Sequence, residues 1–239
     1  MYFSLITPTP GMERQAAQQW TEQTNAYLEH QWLWRFFPGQ PEAKRDFLFR
    51  RRDQDGVPRF YVVSQQEPQS VGPTWQLQTR DYAPQLQAGE WLEFELRANP
   101  VVTHSRTGKS QRHDVIIEAK KTLLAIRGLK KWEDWKLERR NEDGSPDPRP
   151  ELYQLALEHG GHWLEKRGPS HGFALALDSL AVDEYHQQRG KRGQLQLSTV
   201  DIKGLLQVTD PDVFVKTALS RGIGHAKAFG CGLLLIRRV

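Results

Sequence analysis

Tyr27 and His30 stand three residues apart in a segment whose apolar spacing reads as helix, so a phenol and an imidazole share one helical face. An imidazole titrates near neutral pH and can take or give a proton in a transition state. With RNA as substrate, such a group can move the proton of a 2′-hydroxyl as that oxygen attacks the adjacent phosphate, without a metal. One positioned acid or base contributes roughly 10²- to 10⁴-fold. Beside Trp32 and Trp34 such a pair is more often packing than catalysis, and the residues alone do not establish the catalytic reading. The second constellation is the run 222–232, with Gly222, Gly224, Gly230 and Gly232 around His225 and Lys227. It lies between a helix and a strand, whereas a dinucleotide fingerprint needs strand, G-x-G-x-x-G and helix, and a phosphate loop needs Lys-Ser/Thr after its last glycine. What remains is an amide-rich loop whose N–H groups can approach phosphates, or a turn that lets the last strand pack. His159 and His162 have no third ligand near them in sequence, and a single cysteine, Cys231, excludes a cysteine-cluster zinc site and an internal disulfide. No metal and no small-molecule cofactor is expected. Glu93 and Glu95 alternate along a strand, a pattern of solvent pairing.

These groups need a scaffold. A strand over 2–6, a helix from about residue 13 ending at Pro38-Gly39, and β-rich runs over 45–52 and 59–64 joined by Asp55-Gly56, a hairpin signal, open the chain. Residues 65–74, with Pro68 and Pro73, leave little room for a helix, and 91–96 reads as the next strand. That order, β-α-β-β-(short α)-β, is the ferredoxin-like unit. Past Pro100 it begins again: a basic hairpin over 101–117, a partly helical stretch to 135, an acidic insertion at 141–150, a helix over 151–166, strands over 173–180 and 194–208, a helix over 212–219 and a closing strand over 233–237. A basic turn, 190–193, joins the two middle strands. The expected fold is α+β, with two tandem ferredoxin-like (RRM-like) domains, 1–97 and 98–239, the first carrying Tyr27 and His30, the second a projecting basic β-hairpin and the glycine-rich loop.

The 239 residues carry a net charge of only +4, but 97–140 holds twelve Lys or Arg against five acids, and 30–52 six against two, interleaved with aromatics. Clustered bases attract a polyanion by counterion release. A hydrophobic content of 38% suits a packed core, and no run reaches the roughly 20 apolar residues of a membrane helix. The start, MYFSLITPTP, lacks the basic and apolar regions of a secretion signal. A cytoplasmic protein without membrane contact is the expectation.

Four segments then fall together: YLEHQWLWRFFP (27–38), RDFLF (45–49), LRANP (96–100) and GIGHAKAFGCGL (222–233). In this order the chain resembles the CasE family, the CRISPR RNA-processing endoribonucleases of Cascade-type complexes. The resemblance spans almost the whole length and is weakest at 119–170 and 180–193. It implies tandem ferredoxin-like domains, metal-independent cleavage on the 3′ side of a CRISPR repeat hairpin RNA, and retention of the product with other Cascade subunits. The family's catalytic histidine falls on His30 and its neighbouring tyrosine on Tyr27. Its groove-entering hairpin places Arg106, Lys109 and Arg112 on RNA, and its glycine-rich loop falls on Gly222, Gly224, His225, Lys227, Gly230 and Gly232. The 141–150 insertion and the 190–193 turn have no counterpart with a role. Two other classes remain: a non-catalytic structured-RNA-binding scaffold, and a small-molecule enzyme holding a nucleotide phosphate in the glycine loop.

Overall fold

The computed structural model describes all residues except 22–25, 38, 40–45, 107–108, 137–138, 142 and 190–194; the side chains of 20, 21, 26, 27, 105, 106, 109, 189, 195 and 196 also lie outside the description. Two four-stranded antiparallel sheets carry the chain. In the first, β2(Phe47–Gln54), β3(Val57–Ser64), β1(Tyr2–Pro8) and β4(Trp75–Asp81) lie in the order β2-β3-β1-β4, with α1(Glu13–Thr21) and α2(Ala26–Leu33) between β1 and β2 in sequence. The β2–β3 turn is the expected one: Asp55 and Gly56 both take positive φ, 53° and 73°, inside the Gln54–Val57 pair. Ile6, Phe60 and Val62 from the strands meet Ala16, Trp32, Leu33 and Phe36, with Trp32 edge-on to Trp75 at 4.7 Å. Residues 65–74 form no helix, so this unit lacks its second helix.

The second sheet has the order β10-β5-β9-β8, built from β5(Trp91–Ala98), β8(Phe173–Arg189), β9(Leu195–Val208) and β10(Leu234–Arg238). α3(Val115–Ile126), α4(Leu152–Glu165) and a short helical stretch ending in the π-turn Phe214–Leu219 cover one face, burying Ile116, Leu155, Trp163, Leu164, Phe214 and Leu219 on Phe94, Leu96, Ile202 and Leu206. Both sheets have the strand order of a ferredoxin-like unit, so the fold is two of them in tandem. The ribbon β6(Val101–Arg106) and β7(Lys109–Asp114) is a sheet of its own.

Several expectations are corrected. The strand at 91–96 does not close the first sheet: β5 pairs with β9 and β10, and the unanticipated Trp75–Asp81 closes it instead. The changeover between sheets therefore falls within 82–90, ahead of residue 97. Residues 115–117 are not hairpin but the first turn of α3, because Asp114 caps it, accepting from the Ile116 and Ile117 amides at 2.8 and 2.7 Å. The expected first helix is described over Glu13–Thr21 and Ala26–Leu33, and residues 22–25 between them lie outside the description. The acidic stretch 141–150, expected as a loose insertion, folds around Trp135: the Trp135 indole donates to the Asp147 carbonyl at 2.9 Å, and Arg127 grips the Asp147 carboxylate from Nη2 at 2.6 Å while covering the ring at 3.8 Å. The 190–193 turn and Pro38 lie outside the described residues.

The open faces of the two sheets meet. Leu48 and Val63 of the first meet Leu233, just ahead of β10 of the second, in a small apolar seam. Beside it Arg50, 5% exposed, reaches Glu95 at 3.7 Å and Asp201 at 3.5 Å, while Arg52 also pairs with Glu95. Asp201 is shared with Arg97, which donates from Nε at 2.7 Å and Nη2 at 2.6 Å. Burial lowers the Arg50 guanidinium to about 10.

Candidate functional site

His30 sits midway along α2, half-buried, with its ring 5.4 Å from Phe47, 6.3 Å from Phe49 and 6.0 Å from Trp34. Its neighbour Glu29 accepts from Arg51 of β2 at 2.9 Å, which ties the helix to the sheet edge. Tyr27 belongs to the same helix one turn earlier; its side chain lies outside the description. The short turn Lys227–Phe229 packs against α2 and β2. A Cβ on Gly230 would lie 3.4 Å from the Phe49 ring, so the ring beneath His30 also borders the glycine loop. The structure thus brings two constellations, far apart in sequence, to one place.

Within the loop the glycines divide. Gly222, Gly230 and Gly232 are buried, and the Gly232 amide donates to the Arg97 carbonyl at 2.7 Å while its carbonyl accepts from Ile223 at 2.9 Å. These positions shape the loop. Gly222, at φ 73°, leaves no room for a side chain, because a Cβ would meet Leu48 Cδ1 at 2.8 Å and the Gly232 carbonyl at 2.7 Å. Gly224 is half-exposed, His225 is exposed, and Lys227 donates to the Arg221 carbonyl at 2.5 Å. Burial first, then Arg112, Arg167 and Lys227, lowers the His225 imidazole below its usual range.

On the ribbon Arg106 and Lys109 face each other in register next to the tip; their side chains, and residues 107–108, lie outside the description. Arg112 is exposed, and no carboxylate among the described residues pairs with it. At the ribbon's base His104 and His113 close on Glu118 of α3 at 3.2 Å each. Asp114 also accepts from Tyr185 at 3.3 Å and from Ser198, which fixes the ribbon to β8 and β9.

A cleft of about 460 Å³ opens between β2 and the β8–β9 side of the second sheet, next to Phe229 and Gly230. Its walls hold Arg50, Arg51, Arg52 and Arg97 against Glu29, Asp53, Glu184 and Asp201, four charges of each sign. Arg51 is paired with Glu29 at 2.9 Å and Asp53 at 2.7 Å. Charges so compensated exert little pull on a distant polyanion. Arg97, Arg127 and Arg139 of the +7 segment are likewise committed to Asp201 and Asp147. Glu29, Arg51, Phe49 and Trp163 shape the site without having been assigned a role; Glu29 lies within YLEHQWLWRFFP, Phe49 within RDFLF and Arg51 within the basic stretch 30–52, whereas Trp163 had no local signal.

A chain built on paired ferredoxin-like sheets has counterparts among known proteins. Residues 1–238 match the family described as "CRISPR associated protein". The chain belongs to that family, and within it to the CasE group. It is 30% identical over 224 residues to the CRISPR system Cascade subunit CasE of Escherichia coli K12, covering 91% of this chain and 94% of that one. It is 28% identical over 206 residues to the CRISPR-associated endoribonuclease Cse3 of Thermus thermophilus, covering 82% and 81%. A structure of CRISPR endoribonuclease Cse3 bound to 19-nucleotide RNA superposes with a TM-score of 0.65 at 23% identity, over 99% of this chain and 98% of that one. The Escherichia coli K-12 Cas6e crystal structure gives 0.56 at 23% identity, over the whole of both chains. These two likenesses confirm the tandem fold.

No helix among the described residues is long and apolar enough to cross a membrane.

Proposed function

We propose that this protein is an endoribonuclease that cuts CRISPR repeat stem-loops in precursor RNA without a metal and keeps the matured guide RNA within a Cascade assembly, in the cytoplasm. The observation that carries the reading is the meeting of His30 with the glycine loop across Phe49. Relatives named as an endoribonuclease and a Cascade subunit support it, and so does a like-folded structure that holds RNA. His30 moves the proton as the 2′-hydroxyl attacks the scissile phosphate, and Tyr27, one turn away, orients the reactants. Arg106, Lys109 and Arg112 on the ribbon hold the stem by its backbone, the mode that the deep groove of A-form RNA favours. Gly224, His225 and Lys227 supply the loop's accessible contacts, and Gly222, Gly230 and Gly232 hold its shape.

The test is incubation with a repeat hairpin RNA in excess EDTA, wild type beside His30→Ala, with products resolved on a denaturing gel. One cut leaving a 2′,3′-cyclic phosphate or 3′-phosphate, slowed at least 10²-fold in the variant while binding persists, is the expected result. Equal cutting by both proteins removes His30 from the chemistry. A second reading, a non-catalytic RNA scaffold, is favoured by one observation: the His30 ring packs among Phe47, Phe49 and Trp34 as a core side chain would. It predicts tight binding and no cut from either protein.

A further inference from the structure

Most arginines of this chain that the structure describes near its sites are compensated: Arg50, Arg51, Arg52, Arg97, Arg127 and Arg139 each face a carboxylate within 4.0 Å. Arg167 is different. It follows α4, half-buried, and among the described residues no carboxylate comes within ion-pair distance of it. It is nevertheless held firmly. Its guanidinium lies 3.8 Å over the Trp163 ring, Nη1 donates to the Trp163 carbonyl at 2.7 Å, and Nη2 reaches the Val101 carbonyl at 3.4 Å. A guanidinium has five N–H donors. Two are spent on these carbonyls, and the other three have no protein acceptor among the described residues.

The place matters as much as the pairing. Val101 begins the basic ribbon, and its carbonyl also accepts from the Trp163 indole at 3.0 Å. On the other side the glycine loop presses on the same indole: a Cβ at Gly224 would lie 2.9 Å from Trp163 Cη2. Trp163 and Arg167 therefore stand where the ribbon and the loop converge. The charged groups acting on His225 there are Arg112 from the ribbon, Arg167 and Lys227, all cations. Those acting on the neighbouring His171, whose Nδ1 sits 2.9 Å from the Arg167 carbonyl, are Arg167 and Lys227. A planar, pre-oriented guanidinium with spare donors and further cations beside it is the arrangement that binds a phosphate oxygen pair.

We propose that Arg167 is the fixed guanidinium of a phosphodiester-binding site between the ribbon and the glycine loop, completed by Arg112, His225 and Lys227, which clamps one backbone phosphate of the RNA from both elements at once. The inference rests on the RNA-hairpin function proposed above. It assigns a role to a residue that no sequence motif marked, and it makes α4 the element that sets the angle between the two RNA-contacting parts.

The test uses the full chain in the His30→Ala background, so that the RNA stays intact, and measures the affinity for a repeat hairpin RNA as a function of salt. Arg167→Ala is expected to weaken binding roughly tenfold and to lower the slope of log K against log salt by about one counterion. A purely structural role would lower affinity without that change in slope. Because the substitution also removes a tether, a second measurement alters the RNA instead: hairpins carrying single methylphosphonates along the stem are bound to the chain with and without Arg167. One position should weaken binding to the arginine-bearing chain about tenfold and leave binding to Arg167→Ala unchanged. If no position shows this coupling, or if Arg167→Ala keeps the affinity and slope while Arg112→Ala loses both, the site is wrong and the RNA function stands. If the arginine-bearing chain binds the hairpin no better than an unstructured RNA of equal length, the function beneath it is wrong and the site falls with it.

Discussion

The imidazole of His30 and the ring of Phe49 lie nearly parallel, 24° between planes and 6.3 Å between centroids, across the boundary between helix α2 and strand β2. The orientation of the His30 imidazole is thus set by a core residue of the sheet. Phe49→Leu keeps an apolar side chain but removes the ring. The expected outcome is slower cleavage in single-turnover assays with RNA affinity within about twofold of wild type, and an unchanged cleavage rate would sever His30 from this support.

RNA affinity should depend on pH through His225. Burial, then Arg112, Arg167 and Lys227, depresses its pKa, so the free protein holds it neutral near pH 7. A phosphodiester placed among those cations raises the imidazole pKa, so binding takes up a proton and tightens as pH falls from about 7.5 to 5.5. In the free protein the sign is opposite, because the unfolded chain binds that proton more readily and stability declines below the usual imidazole value. Fluorescence anisotropy across this range should show the tightening in the His30→Ala protein and its loss when His225→Ala is added.

Asp201 of β9 reaches the first sheet through Arg50 at 3.5 Å while holding its cross-strand neighbour Arg97 at 2.6 Å. Asp201→Ala leaves Arg50 with Glu95 at 3.7 Å and Arg97 with Glu184 at 4.0 Å, so the expected loss falls short of the roughly 3–5 kcal/mol of a buried pair left with no partner. Urea denaturation measures it directly. A loss under about 1 kcal/mol would mean that solvent already screens the cluster.

Gly224→Ala places a methyl group on a backbone at φ 80° and against Trp163 Cη2. Strain of this kind costs about 1–3 kcal/mol. Thermal unfolding should register it, and RNA affinity should fall with it because the loop is pushed from the ribbon. Wild-type affinity in a destabilised protein would show that the loop's position does not govern binding.

The Arg127 guanidinium, hydrogen-bonded to Asp147, holds that carboxyl below the usual carboxylate range. The stabilisation is fully present above the unfolded value near 3.9 and is lost as pH falls through the lower folded value. Melting temperature followed from pH 5 to pH 2.5 should fall more steeply in wild type than in Asp147→Asn. Parallel curves would mean that the clip around Trp135 contributes nothing at acid pH.

Local chemistry explains what the sequence determined. The Asp55-Gly56 turn, the Tyr27 and His30 spacing and the four glycines of 222–232 were legible because each is decided within a few residues by φ preference or helical period. The family likeness rode on the same short runs. Pairing is where tertiary structure decided. The strand at Trp91–Ala98 carries an alternating pattern that says which face is buried but not which neighbour it will find, and it joins β9 and β10. Arginines look alike in a charge count, yet Arg97 is spent on Asp201, 104 residues away, Arg127 on Asp147, and Arg167 meets no carboxylate among the described residues. The order of residues says which charges exist; only the fold, by choosing which carboxylates come within 4 Å, decides which remain for a ligand.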